Sequence, residues 1–103
     1  MHVIARPAIR QASNRHRDAE GWLESWLVTA ERARWESLED VRRDYPSADQ
    51  YDRCLVFNAR GNRYRFVVRV SYADEYQRGT LLIKHFLTHA EYDKDRWKED
   101  CAE

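Results

Sequence analysis

The strongest alternation of hydrophobic and polar residues lies between positions 63 and 70. Side chains of a strand point to opposite faces with period two, so this alternation predicts a half-buried strand. Asn58, Gly61 and Asn62 predict a tight turn before it, because Gly and Asn tolerate positive φ. The apolar run over residues 54–57 predicts the strand that precedes this turn. One face of the second strand carries Tyr64, Phe66, Val68 and Val70, and the other carries Arg63, Arg65, Val67 and Arg69.

Tryptophans recur at helical spacing in the first half of the chain. Trp22, Trp26, Thr29 and Ala33 follow each other at i, i+4, i+7 and i+11. This spacing predicts an amphipathic helix whose apolar stripe packs on a core, with Asp18 as its N-cap. A tryptophan stripe can also stack on bases, but on a helix at core spacing the structural interpretation is much the more common.

Shorter elements surround this helix. Pro7 fits the first turn of an earlier helix that Asn14 ends, and a third helix begins near Ser37 and ends by Tyr45-Pro46. The pattern also predicts a strand over 2–5, a polar loop over 47–53, a hairpin loop over 74–79 and a strand over 80–87. The tail is predicted to form a short polar helix in which Trp97 packs back on the domain.

The order of these elements predicts the fold class. One strand, two to three helices and then a three-stranded meander give an α+β domain, with the N-terminal strand and the helices packed on one face of an antiparallel sheet. The other face is expected to be open. At 103 residues the chain has room for one core, so residues 1–103 are expected to be one domain with a polar acidic tail over 95–103.

Composition excludes several classes of protein. No apolar run is long enough to span a bilayer and no signal peptide follows the first methionine, so a cytoplasmic protein is expected. Cys54 and Cys101 are isolated and are expected to be reduced thiols. No His or Cys cluster has metal-ligand spacing, so neither a metal nor another cofactor is expected.

Charge is unevenly distributed although its net value is zero. Residues 51–90 carry 7 basic and 3 acidic side chains, whereas residues 91–103 carry 3 basic and 6 acidic ones. The positive field therefore belongs to the predicted sheet. Alternate positions on a strand lie about 7 Å apart, near the spacing of phosphates along one nucleic-acid strand. The arginine face is thus either an ordinary solvated face or a binding surface for an anionic partner.

His89 is the first candidate for chemistry. It follows the last strand in a polar loop that also contains Tyr92, and a histidine beside a phenol can transfer protons near neutral pH. With RNA on the open sheet, Arg63, Arg65 and Lys84 would hold the scissile phosphate. A base would take the 2′-OH proton and an acid would protonate the leaving 5′-oxygen, without a metal. A single loop histidine is, however, more often structural.

Several motifs resemble the HigB family of RelE-like toxins from bacterial toxin–antitoxin modules. They cover residues 3–6, 18–20, Trp35 with 40–41, the F-N-x-x-G-N-x-Y-R motif within 56–68, and the T-H-A-E-Y-D motif within 88–94. The resemblance implies a RelE-like α+β fold and an mRNA endonuclease acting on translating ribosomes. It also implies a HigA-like helix-turn-helix antitoxin that inhibits the toxin and represses the shared operon, so operator DNA is contacted only through the antitoxin.

The resemblance and the charge pattern together define the candidate site. The resemblance does not assign the acid or the base. A non-catalytic RNA-binding or antitoxin-interaction module, such as a degenerate toxin, and a plain protein-binding module are the alternatives. The candidate catalytic residues are His89, Tyr92, Arg65, Arg63 and Lys84, and the candidate RNA-binding residues are Arg60, Asn62, Arg63, Arg65, Arg69 and Lys94.

Overall fold

A computed structural model describes residues 1–102. Five strands form one sheet in the order β1-β5-β4-β3-β2. None of the helices in the described chain has the length and apolarity needed to cross a membrane. The elements are β1 (His2–Ile4), α1 (Pro7–Arg15), a 3-10 helix (Arg17–Ala19), α2 (Glu20–Arg32), α3 (Leu38–Asp44), β2 (Asp49–Tyr51), β3 (Cys54–Ala59), β4 (Tyr64–Ser71), β5 (Thr80–Thr88), α4 (His89–Asp93) and a second 3-10 helix, the C-terminal segment (Arg96–Cys101).

The α+β fold is confirmed, with one change to the sheet. Strands β3, β4 and β5 form the predicted antiparallel meander, but β1 pairs parallel to β5, with Val3 opposite Leu81. The predicted loop over 47–53 is wrong, because Asp49–Tyr51 pairs with β3 as a short edge strand. All three residues of this strand are exposed, so no alternation marks it in the sequence.

The tryptophan stripe of α2 enters the core, as predicted. Trp26 is fully buried, and its ring meets Phe57 and Phe66 edge-on at centroid distances of 5.7 and 4.7 Å. Trp22 is half-buried and packs edge-on against Phe66. Edge-to-face aromatic contacts are favourable in addition to the area they bury. This cluster fixes the helices on one face of β3 and β4.

The other face of the sheet is partly covered, which corrects two expectations. Cys101 forms a disulfide with Cys54 of β3, with Cα atoms 5.3 Å apart, so the two cysteines are not free thiols. Trp97 is buried beside this disulfide with Val56 and Val67, which confirms that it packs back. The acidic tail therefore packs on the sheet through Trp97 and Cys101. Glu103 lies outside the described residues.

A β-bulge changes the parity of β5. Val67 pairs with His85 and Val68 pairs with Ile83, so Lys84 has no direct partner in the ladder. An extra residue on one strand reverses the alternation beyond it. Ile83 and Phe86 consequently both face the helix-covered core, a change that the alternating pattern did not predict.

Candidate functional site

The turn between β3 and β4 meets the start of α4 at one end of the sheet. The backbone carbonyl of Asn62 accepts a hydrogen bond from His89 Nε2 and a longer one, 3.4 Å, from Arg65 Nη1. Arg65 lies on β4 and Tyr92 on α4. We call Asn62, Arg65, His89 and Tyr92 the turn–helix site. Its members come from the two motifs that the sequence singled out.

The Asn62 carbonyl determines which nitrogen of His89 carries a proton. A carbonyl oxygen can only accept, so Nε2 of His89 is the donor. In the neutral ring Nδ1 then keeps its lone pair. His89 as a residue is exposed. With this tautomer, Nδ1 would be the nitrogen of a neutral His89 that can accept a proton.

Arg65 lies over the ring of Tyr92. Its guanidinium carbon is 5.5 Å from the ring centroid, a cation–π distance, and its Nη1 also donates to the Tyr64 carbonyl at 3.3 Å. The ion pairs found among residues 1–102 leave Arg65 without a carboxylate partner. A half-buried, oriented guanidinium of this kind suits a phosphate.

A capping box orients the α4 end of the site. The Thr88 hydroxyl accepts from the Glu91 backbone N–H, and the Glu91 carboxylate accepts from the Thr88 backbone N–H at 2.9 Å. The bond from the Thr88 backbone N–H, and a weaker contribution from the Thr88 hydroxyl, which donates to the same carboxylate at 3.1 Å, lower the pKa of Glu91. Glu91 is therefore occupied in holding the first turn of α4, on which His89 lies, and is a poor candidate for the base.

Arg63 does not share the face of Arg65, which corrects the predicted row of arginines. Strand β4 begins at Tyr64, so Arg63 belongs to the turn, and its guanidinium bonds Asp18 at 2.9 Å. Asp18 makes no N-cap bond to α2 and instead accepts from the Tyr64 hydroxyl at 2.7 Å. The predicted cap is wrong because these two partners from the sheet occupy the carboxylate.

The Asp18–Tyr64 bond predicts a pH-dependent stability. The Tyr64 hydroxyl lowers the pKa of Asp18, so its stabilising effect is present above the ordinary aspartate pKa of about 4 and is lost as pH falls through the lower folded-state value. Tyr64→Phe should lower the melting temperature at pH 7, and the difference from wild type should shrink below about pH 4. Thermal melts across pH measure it, and a pH-independent difference would contradict the assignment.

The remaining candidates lie outside the turn–helix site. Arg69 donates to the backbone carbonyls of Asp100 and Ala102, beneath the end of the chain. Lys84 lines a hollow of about 210 Å³ with Gln11 and Arg15 of α1. Arg60 is exposed in the turn with a positive φ of 54°, and Lys94 is exposed after α4, beside a hollow lined by Trp97.

Two features of the site had only a weak signal in the sequence. Trp97 stacks on Tyr92 with the rings 5.0 Å apart and 11° from parallel, and its indole Nε1 donates to the Tyr92 carbonyl at 3.0 Å. The Cys54–Cys101 disulfide holds the C-terminal segment, which carries Trp97. A large apolar residue in a charged tail indicates packing, but the sequence does not specify where.

The sheet with helices on one face is consistent with a RelE-like fold. A family model described as "HigB_toxin, RelE-like toxic component of a toxin-antitoxin system" matches residues 19–95. The chain belongs to this HigB toxin family, which confirms the resemblance seen in the sequence. Membership implies an antitoxin partner. The chain is also 22% identical over 97 residues to a protein named mRNA interferase HigB from Escherichia coli O6:H1, covering 91% of this chain and 90% of that protein.

Proposed function

We propose that this one-domain toxin is an mRNA endonuclease whose active site is the turn–helix site. The observation that carries the proposal is the convergence of His89 and Arg65 on one backbone carbonyl, that of Asn62. A proton acceptor beside a cation that pairs with no carboxylate among residues 1–102 suits cleavage by the 2′-OH. The name of the E. coli relative, mRNA interferase, supports the same reaction.

The proposed reaction is an internal transesterification. Nδ1 of His89 takes the proton of the 2′-OH, whose oxygen attacks the adjacent phosphorus as the bond to the 5′-oxygen breaks. Arg65 stabilises the charge that develops on the phosphoryl oxygens. Tyr92, the phenol beside Arg65, supplies the proton to the leaving 5′-oxygen. Side chains perform every step, so the proposed mechanism needs no metal ion.

The partners follow from the same site and its charge. Net charge is zero, and Arg63 and Arg69 already bond groups of the protein itself. Beside the turn–helix site, Arg60 and Lys94 are the exposed candidate cations for RNA, and free RNA binding depends on the number of phosphates contacted. We therefore propose that a translating ribosome presents the mRNA, and that a HigA-like helix-turn-helix antitoxin inhibits the toxin.

Expression in a bacterial host without the neighbouring gene tests the function. Wild type should arrest growth and produce new 5′ ends on an abundant mRNA, detected by primer extension. His89→Ala should do neither, because it removes the proton acceptor, although it accumulates as soluble protein. His2→Ala, at an exposed histidine on β1, should behave as wild type. Cuts by His89→Ala would remove His89 from the active site, and no cuts by any soluble form would favour a non-catalytic module.

A further inference from the structure

Tyr92 lies between two groups that come from different parts of the chain. The Arg65 guanidinium lies over its ring at 5.5 Å, and the Trp97 indole stacks on it at 5.0 Å, nearly parallel. The indole Nε1 also donates to the Tyr92 backbone carbonyl at 3.0 Å. Trp97 therefore contacts both the ring and the backbone of a site residue. The pairwise contacts place it where it can limit the movement of Tyr92 and, through Tyr92, of Arg65.

The far end of the segment that carries Trp97 is tied to the sheet. Cys101 is bonded to Cys54 of β3, and its carbonyl accepts from the Arg53 backbone N–H at 3.1 Å. Asp100 meets the His85 ring at 2.6 Å. Of these links the disulfide is the covalent one, and it prevents the end of the chain from separating from β3. Without it, a short terminal 3-10 helix is prone to fraying.

The C-terminal segment supports the turn–helix site without closing it. Trp97 is buried under Tyr92 in a cluster with Val56 and Val67, whereas His89 is exposed and Arg65 and Tyr92 are half-exposed. The carbonyls of Asp100 and Ala102 occupy Arg69, which is not a member of the site. This arrangement favours a supporting role over an inhibitory cover.

We propose that Trp97 is a positioning residue of the turn–helix site and that the Cys54–Cys101 disulfide keeps it there, so that RNA cleavage falls when the disulfide is reduced. The cleavage part rests on the function proposed above. Messenger RNA is translated where thiol-reducing systems operate, and disulfides there are usually transient or redox-sensing. Oxidation would then assemble the site and reduction would loosen it.

The redox step is an ordinary thiol–disulfide exchange. A dithiol reductant supplies two electrons and two protons, the S–S bond breaks, and Cys54 and Cys101 become thiols while the dithiol becomes a disulfide. Both sulfurs are buried in the folded chain, so the end of the segment has to open before a reductant reaches them. Cys101→Ser reproduces the reduced state without requiring that access.

Side-chain NMR of the full chain tests the positioning without requiring activity. Arginine Nε–H resonances of ¹⁵N-labelled protein are assigned with Arg65→Lys, and the Tyr92 ring current should shift the Arg65 signal upfield in the oxidised wild type. Trp97→Ala, Cys101→Ser and reduced wild type should lose this shift, while Trp97→Phe, which keeps a ring, should retain part of it. Glu99→Ala, at an exposed position of the same segment, is the control. An unchanged shift in folded Trp97→Ala overturns the proposal.

Cleavage of an mRNA in a purified translation system tests the consequence. Because a displacement of about 1 Å can reduce a rate about 100-fold, kcat should fall roughly 10-fold or more in Trp97→Ala and Cys101→Ser, with KM little changed. Dithiothreitol should reduce wild-type kcat to the Cys101→Ser level and leave that variant unchanged. Higher activity on reduction would identify the segment as an inhibitory cover and overturn the proposal. Absence of cleavage by wild type would instead contradict the proposed function, and the NMR result would stand separately.

Discussion

Arg65→Ala is expected to reduce kcat for mRNA cleavage by about 100- to 1000-fold, the usual effect of losing one preorganised group that stabilises transition-state charge. Arg65 is the arginine that stacks on Tyr92 and shares the Asn62 carbonyl with His89. The loss should fall mainly on kcat, because a contact that strengthens in the transition state has little effect on ground-state binding. Steady-state cleavage in a purified translation system measures it.

Two variants make this prediction specific. Arg65→Lys keeps the charge but loses the planar guanidinium that stacks and forms paired hydrogen bonds, so its kcat should lie between wild type and Arg65→Ala. Arg10→Ala removes an exposed arginine of α1 and should cleave at the wild-type rate. Equal losses in Arg10→Ala and Arg65→Ala would indicate a nonspecific charge effect and would contradict the assigned role.

The hydrophobic pattern of the sequence predicted those elements whose form depends only on residues close together in the chain. The alternation of β4 and the helical stripe of α2 both follow from which side chains a single element buries, and both are present, with Phe66 and Trp26 meeting in the core. Strand β2 was missed because it is exposed on every residue and exists only through its ladder to β3.

The candidate site was predictable only in part. The turn and α4 motifs identified His89 and Arg65, which the structure brings to the same carbonyl. The partners of Arg63 and Cys54 are distant in sequence, Asp18 by 45 positions and Cys101 by 47. No local pattern encodes pairings at such separations, so the arginine row and the free thiols were expected in their place.

Trp26→Ala is expected to destabilise the fold by about 3–5 kcal/mol, as large-to-small changes at buried aromatic positions do. Trp26 is fully buried between Phe57 and Phe66, so truncation leaves a cavity and removes two edge-on ring contacts. Since a domain of this size has a total stability of about 5–15 kcal/mol, much of it would be lost, and the melting temperature should fall by roughly 15–20 °C. Urea unfolding with the disulfide kept oxidised throughout measures the free energy.

Trp26→Phe separates ring packing from indole chemistry. Within residues 1–102 the indole Nε1 of Trp26 is a buried donor without a hydrogen-bond acceptor, and such a group costs about 1–3 kcal/mol in the folded state. Phenylalanine keeps an aromatic ring against Phe66 and removes that donor, which offsets part of the lost volume. The loss in Trp26→Phe should therefore be well under half of that in Trp26→Ala. Equal losses in the two variants would contradict this account, because phenylalanine retains most of the buried ring volume that alanine removes.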